Sequence, residues 1–290
     1  ILEAGSLTTS GTSTLGSGSV YIYSANGGNI SNSGNISTTN PSGEQTVGIY
    51  TTNGESVVNS GAIDLSKGYS NVGIYSSNGQ ITNTGRIDVG AGKDIYNVST
   101  GKTEFYNGVG IVALNTTLTN GVSGSSSIGE IYAHGNGTIG IYASGAGSNV
   151  TNYANIYLDT SSATASNPIT QMVGIYATDK ATVTNSGNII GSPYNANAKG
   201  LIGLAVTGGA TLVNTSLLWK VVLPSNAYST FASSVKLGSS VTVTVLVEAL
   251  LTQPYSTMAI GSRLTGTFIA TVISDVQLLA SFINTLIGPP

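Results

Sequence analysis

The stretch Val72-Gly73-Ile74-Tyr75-Ser76-Ser77-Asn78-Gly79-Gln80-Ile81-Thr82-Asn83-Thr84-Gly85-Arg86-Ile87 contains two words that return along most of the chain. The first is apolar-Gly-apolar-Tyr, repeated at Val47–Tyr50, Ile139–Tyr142 and Val173–Tyr176. Variants stand at Val20–Tyr23, Val109–Val112 and Ile202–Ala205. The second is apolar-x-Asn-Ser/Thr-Gly-x-Ile, clear at Ile30–Ile36, Val57–Ile63 and Val183–Ile189, and degraded around Asn120, Asn152 and Asn214. Apolar residues alternate within each word, Val and Ile dominate, and Gly, Asn or Ser bound them, which is how short strands read.

Spacing turns the words into an architecture. From the Ile or Leu of the first word to the next Asn the gap is always 9 to 11 residues; from that Asn to the next first word it runs from 15 to 28. One half of the repeat is fixed and the other absorbs insertions, as expected of stacked strands in register with loops growing on one side. No window before residue 216 has a 3.6-residue apolar period. A propeller needs longer repeats of antiparallel strands, and a leucine-rich repeat would show its Leu/Asn signature. The reading is all-β: a parallel β-helix of about seven coils over residues 1–216. Asn32, Asn59, Asn83, Asn152 and Asn185 are expected to stack at a turn, with Gly34, Gly61, Gly85 and Gly187 giving that turn its positive φ.

Composition bounds the function. Only 7% of the 290 residues are charged, nine Lys+Arg against twelve Asp+Glu, so the basic face that nucleic acid requires is missing. Forty per cent apolar content argues against a disordered chain. Cys is absent and His134 is the only histidine, which removes thiol chemistry and His-based zinc sites. With so few ionisable groups, stability is expected to depend little on pH or salt. The apolar stretch 268–287 is broken by Asp275, Gln277 and Asn284, so a spanning helix is not expected there.

In the words Thr46-Val47-Gly48-Ile49-Tyr50 and Val183-Thr184-Asn185-Ser186-Gly187-Asn188-Ile189, the chain resembles the passenger regions of bacterial type V autotransporter adhesins, particularly the large fusobacterial outer-membrane kind. The resemblance covers residues 19–216. It implies a right-handed β-helix, secretion across the outer membrane, a cell-surface location and attachment to host cells or other bacteria. It carries over no catalytic residue, cofactor or metal. Residues 217–290 depart from the pattern, with 4 Gly in 74 positions. There Val241–Val247 alternates as a strand and Ser274–Ile287 reads as a short helix, suggesting a cap on the open end of the solenoid. The chain holds no series of amphipathic barrel strands, so membrane attachment is expected through a barrel domain outside this fragment.

Candidate sites are few. If Val47 and Ile49 share the inner side, then Tyr23, Tyr50, Tyr75, Tyr142 and Tyr176 form an outward aromatic strip beside a glycine trough, suited to a glycan or a partner's side chains. The plainer possibility is a stacked ladder that only stabilises the coils. Asp64 and Asp88 occupy equivalent places on consecutive coils and are expected to be solvated carboxylates; a cation site or an acid/base pair is the sharper alternative. His134 is expected to be an ordinary loop residue. The insertions 90–107, 121–138 and 157–171 are expected to cluster on one side. These features point to a non-enzymatic adhesin rod whose partner is a host-cell or bacterial surface protein or glycan. The alternatives are a carbohydrate-active β-helix (polysaccharide lyase or tailspike-like glycosidase), marked by three or more converging charged side chains, and a purely structural stalk or filament subunit.

Overall fold

The computed structural model describes residues 6–9, 12–15, 18–25, 27–38, 44–97, 101–192, 195–215 and 236–237. These residues wind into a right-handed parallel β-helix with three sheets. One coil shows the plan: Val72–Ser77 lies in the first sheet, Gln80–Asn83 in the second and Ile87–Val89 in the third. Each strand pairs in parallel with its equivalent one coil away, as Ile49↔Ile74↔Ile111 in the first sheet and Asn59↔Asn83↔Asn120 in the second. Seven such coils at about 4.8 Å per rung make a rod about 30 Å long. Lys236–Leu237 adds to the end of the first sheet beside Ala205–Val206. The strand and helix expected within 241–287 lie outside the described residues. Among the described residues no helix is long and apolar enough to cross a membrane.

The interior is a stack of aliphatic side chains: Ile49, Ile74, Ile111, Ile141 and Ile175 from the first sheet, Val57, Ile81, Leu118, Val150 and Val183 from the second, and Ile63, Ile87, Ile131, Ile156 and Ile189 from the third. Between the second and third sheets runs the asparagine ladder. Asn32, Asn59, Asn83, Asn120, Asn152 and Asn185 each donate Nδ2 to the Oδ1 of the next, 2.7–2.8 Å away, ending on Asn214. A second Nδ2 bond closes the turn on the carbonyl two residues on, as from Asn83 to Gly85 at 2.9 Å. The expected stack is present and longer than expected. Every buried amide is satisfied along the axis, so a polar column sits inside the rod without an orphaned group.

The glycines of this turn serve a different purpose from the one the sequence suggested. Gly61, Gly85 and Gly187 do not have positive φ. Instead, a Cβ on each would lie 1.9 Å from a carbonyl oxygen of the preceding coil. Contact between backbones, not handedness, requires glycine there.

A second correction concerns the first word. Its two aliphatic residues do not share a side. Ile74, Ile111 and Ile141 are in the main core, whereas Val72, Val109 and Ile139 pack with Tyr75 and Tyr142 in a separate cluster. The chain bends at the intervening glycine, which turns inward: a Cβ on Gly73 would meet Gly110 O at 2.5 Å and Ile87 Cγ2 at 2.6 Å. Gly48, Gly73, Gly110, Gly140, Gly174 and Gly203 are all buried, so there is no glycine trough. The tyrosines still point outward, beside aliphatic residues.

Insertions leave two of the three corners. Residues 121–130 emerge between the second and third sheets, while 90–107 and 160–171 emerge between the third and the first. Residues 131–134, expected within an insertion, are a regular strand of the third sheet. The corner between the first and second sheets keeps short turns throughout. The long segments therefore border both edges of one sheet, the third.

Candidate functional site

On the first sheet, Tyr23, Tyr50 and Tyr75 stack face to face, with ring centroids 5.4 and 4.6 Å apart and planes within 10°. Tyr142 and Tyr176 form a tilted pair at 5.6 Å, separated from the others by Val112. Tyr176 Oη lies 3.0 Å from Thr207 Oγ1. Stacking along the rod turns ring faces toward one another and leaves edges and hydroxyls for solvent. A sugar needs a ring face to lie on.

The third sheet carries a denser arrangement that sequence reasoning missed. Its strands Ile87–Val89, Ile131–His134 and Ile156–Asp159 send alternate residues into the core and turn Asp88, Tyr132, His134, Tyr157 and Asp159 to the other side, where Asp88 is itself covered. Arg86 and Glu130 stand just before these strands, at equivalent places on adjacent coils. Arg86 grips Asp88 with Nε and Nη2, both at 2.6 Å, and lays its guanidinium 3.8 Å from the centroid of Tyr132. Tyr132 stacks on Tyr157 at 4.4 Å, and both hydroxyls donate to Glu130 at 3.2 Å. Asn188 donates to Asn155, which donates to the Tyr157 hydroxyl. His134 joins the strands: Nδ1 is 2.7 Å from Asp159 and Nε2 3.1 Å from Asp88.

The geometry fixes the charge state of the imidazole. Carboxylates only accept hydrogen bonds, so both ring nitrogens must carry a proton to satisfy both contacts. Burial lowers the His134 pKa, but the bonds and charges of Asp159 and Asp88 outweigh it and raise the value to about 9. Burial likewise raises Asp159, yet His134 and the Ser161 amide bring it down to about 2. Asp88 is held below its ordinary range against its burial, first by Arg86 and then by His134. Burial and the nearby Glu130 charge push Tyr132 up to about 12 and raise Tyr157, so both stay protonated donors. At neutral pH the imidazolium has no lone pair to act as a base.

Two expectations are corrected here. His134 is a strand residue, not a loop residue. Asp88 is in register with Asp64 but is 7% exposed and doubly paired, not solvated. Only Asp64 is exposed, capping Ser66 through N and Oγ. A signal for the cluster lay in the sequence: Ile131-Tyr132-Ala133-His134 and Ile156-Tyr157-Leu158-Asp159 are one word on successive coils. The insertion after Asn120 displaced the first copy and hid the match.

The bordering segments are themselves fastened. The hairpin Lys93–Asn97 and Lys102–Tyr106 pairs antiparallel, with Lys93 ion-paired to Glu44 and over the Tyr69 ring. Phe105 packs where a Cβ on Gly92 or Gly137 would be. Across 160–171, Asn136 Oδ1 accepts from Thr170 N and Gln171 N at 2.9 and 3.0 Å. In 121–130, Ser126 O accepts from Asn155 N at 2.7 Å. Among the described residues no group of three or more acidic, His or Cys side chains could hold a metal ion.

A family model described as the BigA third pectate lyase-like domain matches residues 1–215. No curated protein matches the chain, and no solved structure does.

Proposed function

Given that the chain belongs to the BigA third pectate lyase-like domain family, we propose that it is a non-enzymatic passenger segment of a bacterial cell-surface adhesin. The family supports the coarser part of this reading, a passenger-type β-helix of the bacterial surface. The finer part is an autotransporter of the fusobacterial kind, anchored to the outer membrane through a barrel domain and serving attachment, and with it virulence, on host-cell or bacterial surface proteins or glycans. One observation carries it: the long insertions border a single sheet of a rigid rod, and each is bonded to the coils beside it. Recognition concentrates on loops held by a stiff scaffold. In this reading Tyr23, Tyr50, Tyr75, Tyr142 and Tyr176 offer edges and hydroxyls as secondary contacts.

A carbohydrate-active β-helix is favoured by one feature, the convergence of Arg86, Asp88, Glu130, His134 and Asp159. Against it, the imidazole is locked as a cation and Asp88 is committed to two partners. Two measurements on the labelled 290-residue chain separate the readings: binding to intact host and bacterial cells, and release of reducing ends from a polysaccharide panel. Saturable binding without release supports the adhesin. Release identifies an enzyme, and neither result leaves a stalk.

A further inference from the structure

Six of the few charged side chains gather on the outer face of the third sheet, and they alternate in hydrogen-bonding character. Glu130 and Asp159 present acceptors, and Asp64 stands in register one coil before Asp88. Arg86 is 52% exposed and spends Nε and Nη2 on Asp88, which leaves further N–H donors directed elsewhere. Asn188 adds an amide at the end of the row. Fixed donors and acceptors within one or two rungs of each other suit a ligand whose every polar group both gives and takes a hydrogen bond. Hydroxyl-rich sugars are that ligand.

The sign of the face narrows the class. Asp64, Asp88, Glu130 and Asp159 stand against Arg86 and His134, an excess of two negative charges. A polyanion would meet net repulsion. Exposed rings flank the face where the third sheet meets the first: Tyr69 is 39%, Phe105 45% and Tyr96 62% exposed. Among the described residues these three form no ring-on-ring stack; Lys93 covers one face of Tyr69 and Phe105 packs on Gly92 and Gly137, which leaves Tyr96 the most open of the three. The rungs repeat at about 4.8 Å, close to the length of one pyranose, so a chain lying along the axis presents a new sugar to each rung.

We propose that the outer face of the third sheet, from Asp64 to Asn188, binds an uncharged glycan laid along the rod, and that this pectate lyase-like domain rejects polyuronate. The proposal rests on the adhesin reading and names its ligand. The test is a binding isotherm of the whole chain against neutral oligosaccharides (mannan, galactan and N-acetylglucosamine oligomers), with polygalacturonate and chitosan as charged probes. Three variants accompany it: Arg86→Ala removes exposed donors, Tyr157→Phe keeps the stack and removes one hydroxyl, and Val58→Thr on the second sheet is a control. At least one neutral glycan is expected to bind saturably, about tenfold more weakly to Arg86→Ala, several-fold more weakly to Tyr157→Phe and equally to Val58→Thr, with no binding of polygalacturonate. Circular dichroism melts on the same variants separate lost binding from lost folding. Tightest binding to polygalacturonate or to chitosan overturns the proposal, as does neutral-glycan binding that neither Arg86→Ala nor Tyr157→Phe weakens. If the chain binds cells after their glycans are stripped and binds no probe, the partner is a protein: the glycan is wrong and the adhesin stands. If it binds neither cells nor probes, both fall.

Discussion

Asn83 sits in the middle of the asparagine ladder, and replacing it with alanine measures what the ladder contributes. The side chain is fully buried. It accepts from Asn59 Nδ2 at 2.7 Å and donates to Asn120 Oδ1 at 2.7 Å and to Gly85 O at 2.9 Å. The variant leaves Asn120 Oδ1 and Gly85 O without these donors in a place water does not reach, while Asn59 Nδ2 keeps its bond to Gly61 O. Each orphaned buried group costs about 1–3 kcal/mol, so the change is worth about 3–4 kcal/mol, the small cavity included. With a urea slope of about 3 kcal/mol/M for a chain of this size, the midpoint should fall by about 1 M. Asn149, exposed at the start of a strand of the second sheet, is the comparison; Asn149→Ala should shift the midpoint by under about 0.3 M. Urea melts followed by circular dichroism read both. Should Asn83→Ala melt within about 0.3 M of the parent, the ladder is a decoration and the account of the rod's interior is wrong.

Ile74→Asp places an unpaired carboxylate in the narrow core and should cost about 4–5 kcal/mol, whereas Tyr75→Asp on the outer face should cost about 1–2; a melt ranking them the other way reverses the inward/outward assignment. Gly73→Ala drives a Cβ against Gly110 O and should cost about 2–4 kcal/mol, while Gly124→Ala, at φ +82° with nothing within 4 Å, should cost about 1; equal losses would show that backbone contact is not what selects glycine. The His134 resonance, single in this chain, should titrate near 9 by proton NMR and not near its ordinary 6.5. Because the folded value lies above the unfolded one, its stabilisation is complete below about pH 6.5 and is lost as pH rises through 9. The shift corresponds to about 3 kcal/mol, of which about 2 survive the ring's partial exposure. Asp159 acts in the opposite window, its contribution vanishing as pH falls from about 4 toward 2. His134→Gln should remove the alkaline slope; an unchanged slope would put the titration elsewhere.

The repeat made the coils legible because each strand word is set by local alternation and each coil repeats its neighbour. Two things escaped for physical reasons. Period-2 alternation assigned Val47 and Ile49 to one side, but a glycine between them lets the chain bend, and local pattern does not register a bend. His134 looked solitary because its partners, Asp88 and Asp159, are 46 and 25 residues away and meet it only through coil-to-coil register. The pairing of His134 with Asp88 and Asp159 argues against the expectation of pH-independent stability, since a few charges gathered on one face matter more than their number. The outward tyrosines were legible; their stacking followed from register, and their orientation toward one another did not.

We propose that this rod attaches through the segments bordering its third sheet. The most direct measurement is the binding isotherm of the labelled chain on intact cells, compared with a chain whose hairpin 93–106 is cut to a short turn and a second whose loop 160–171 is shortened. Melts and circular dichroism should show the coils intact in both. Saturable binding that falls at least tenfold on shortening either segment is the predicted result. Binding of equal strength to all three proteins, or saturable binding to none, would contradict it.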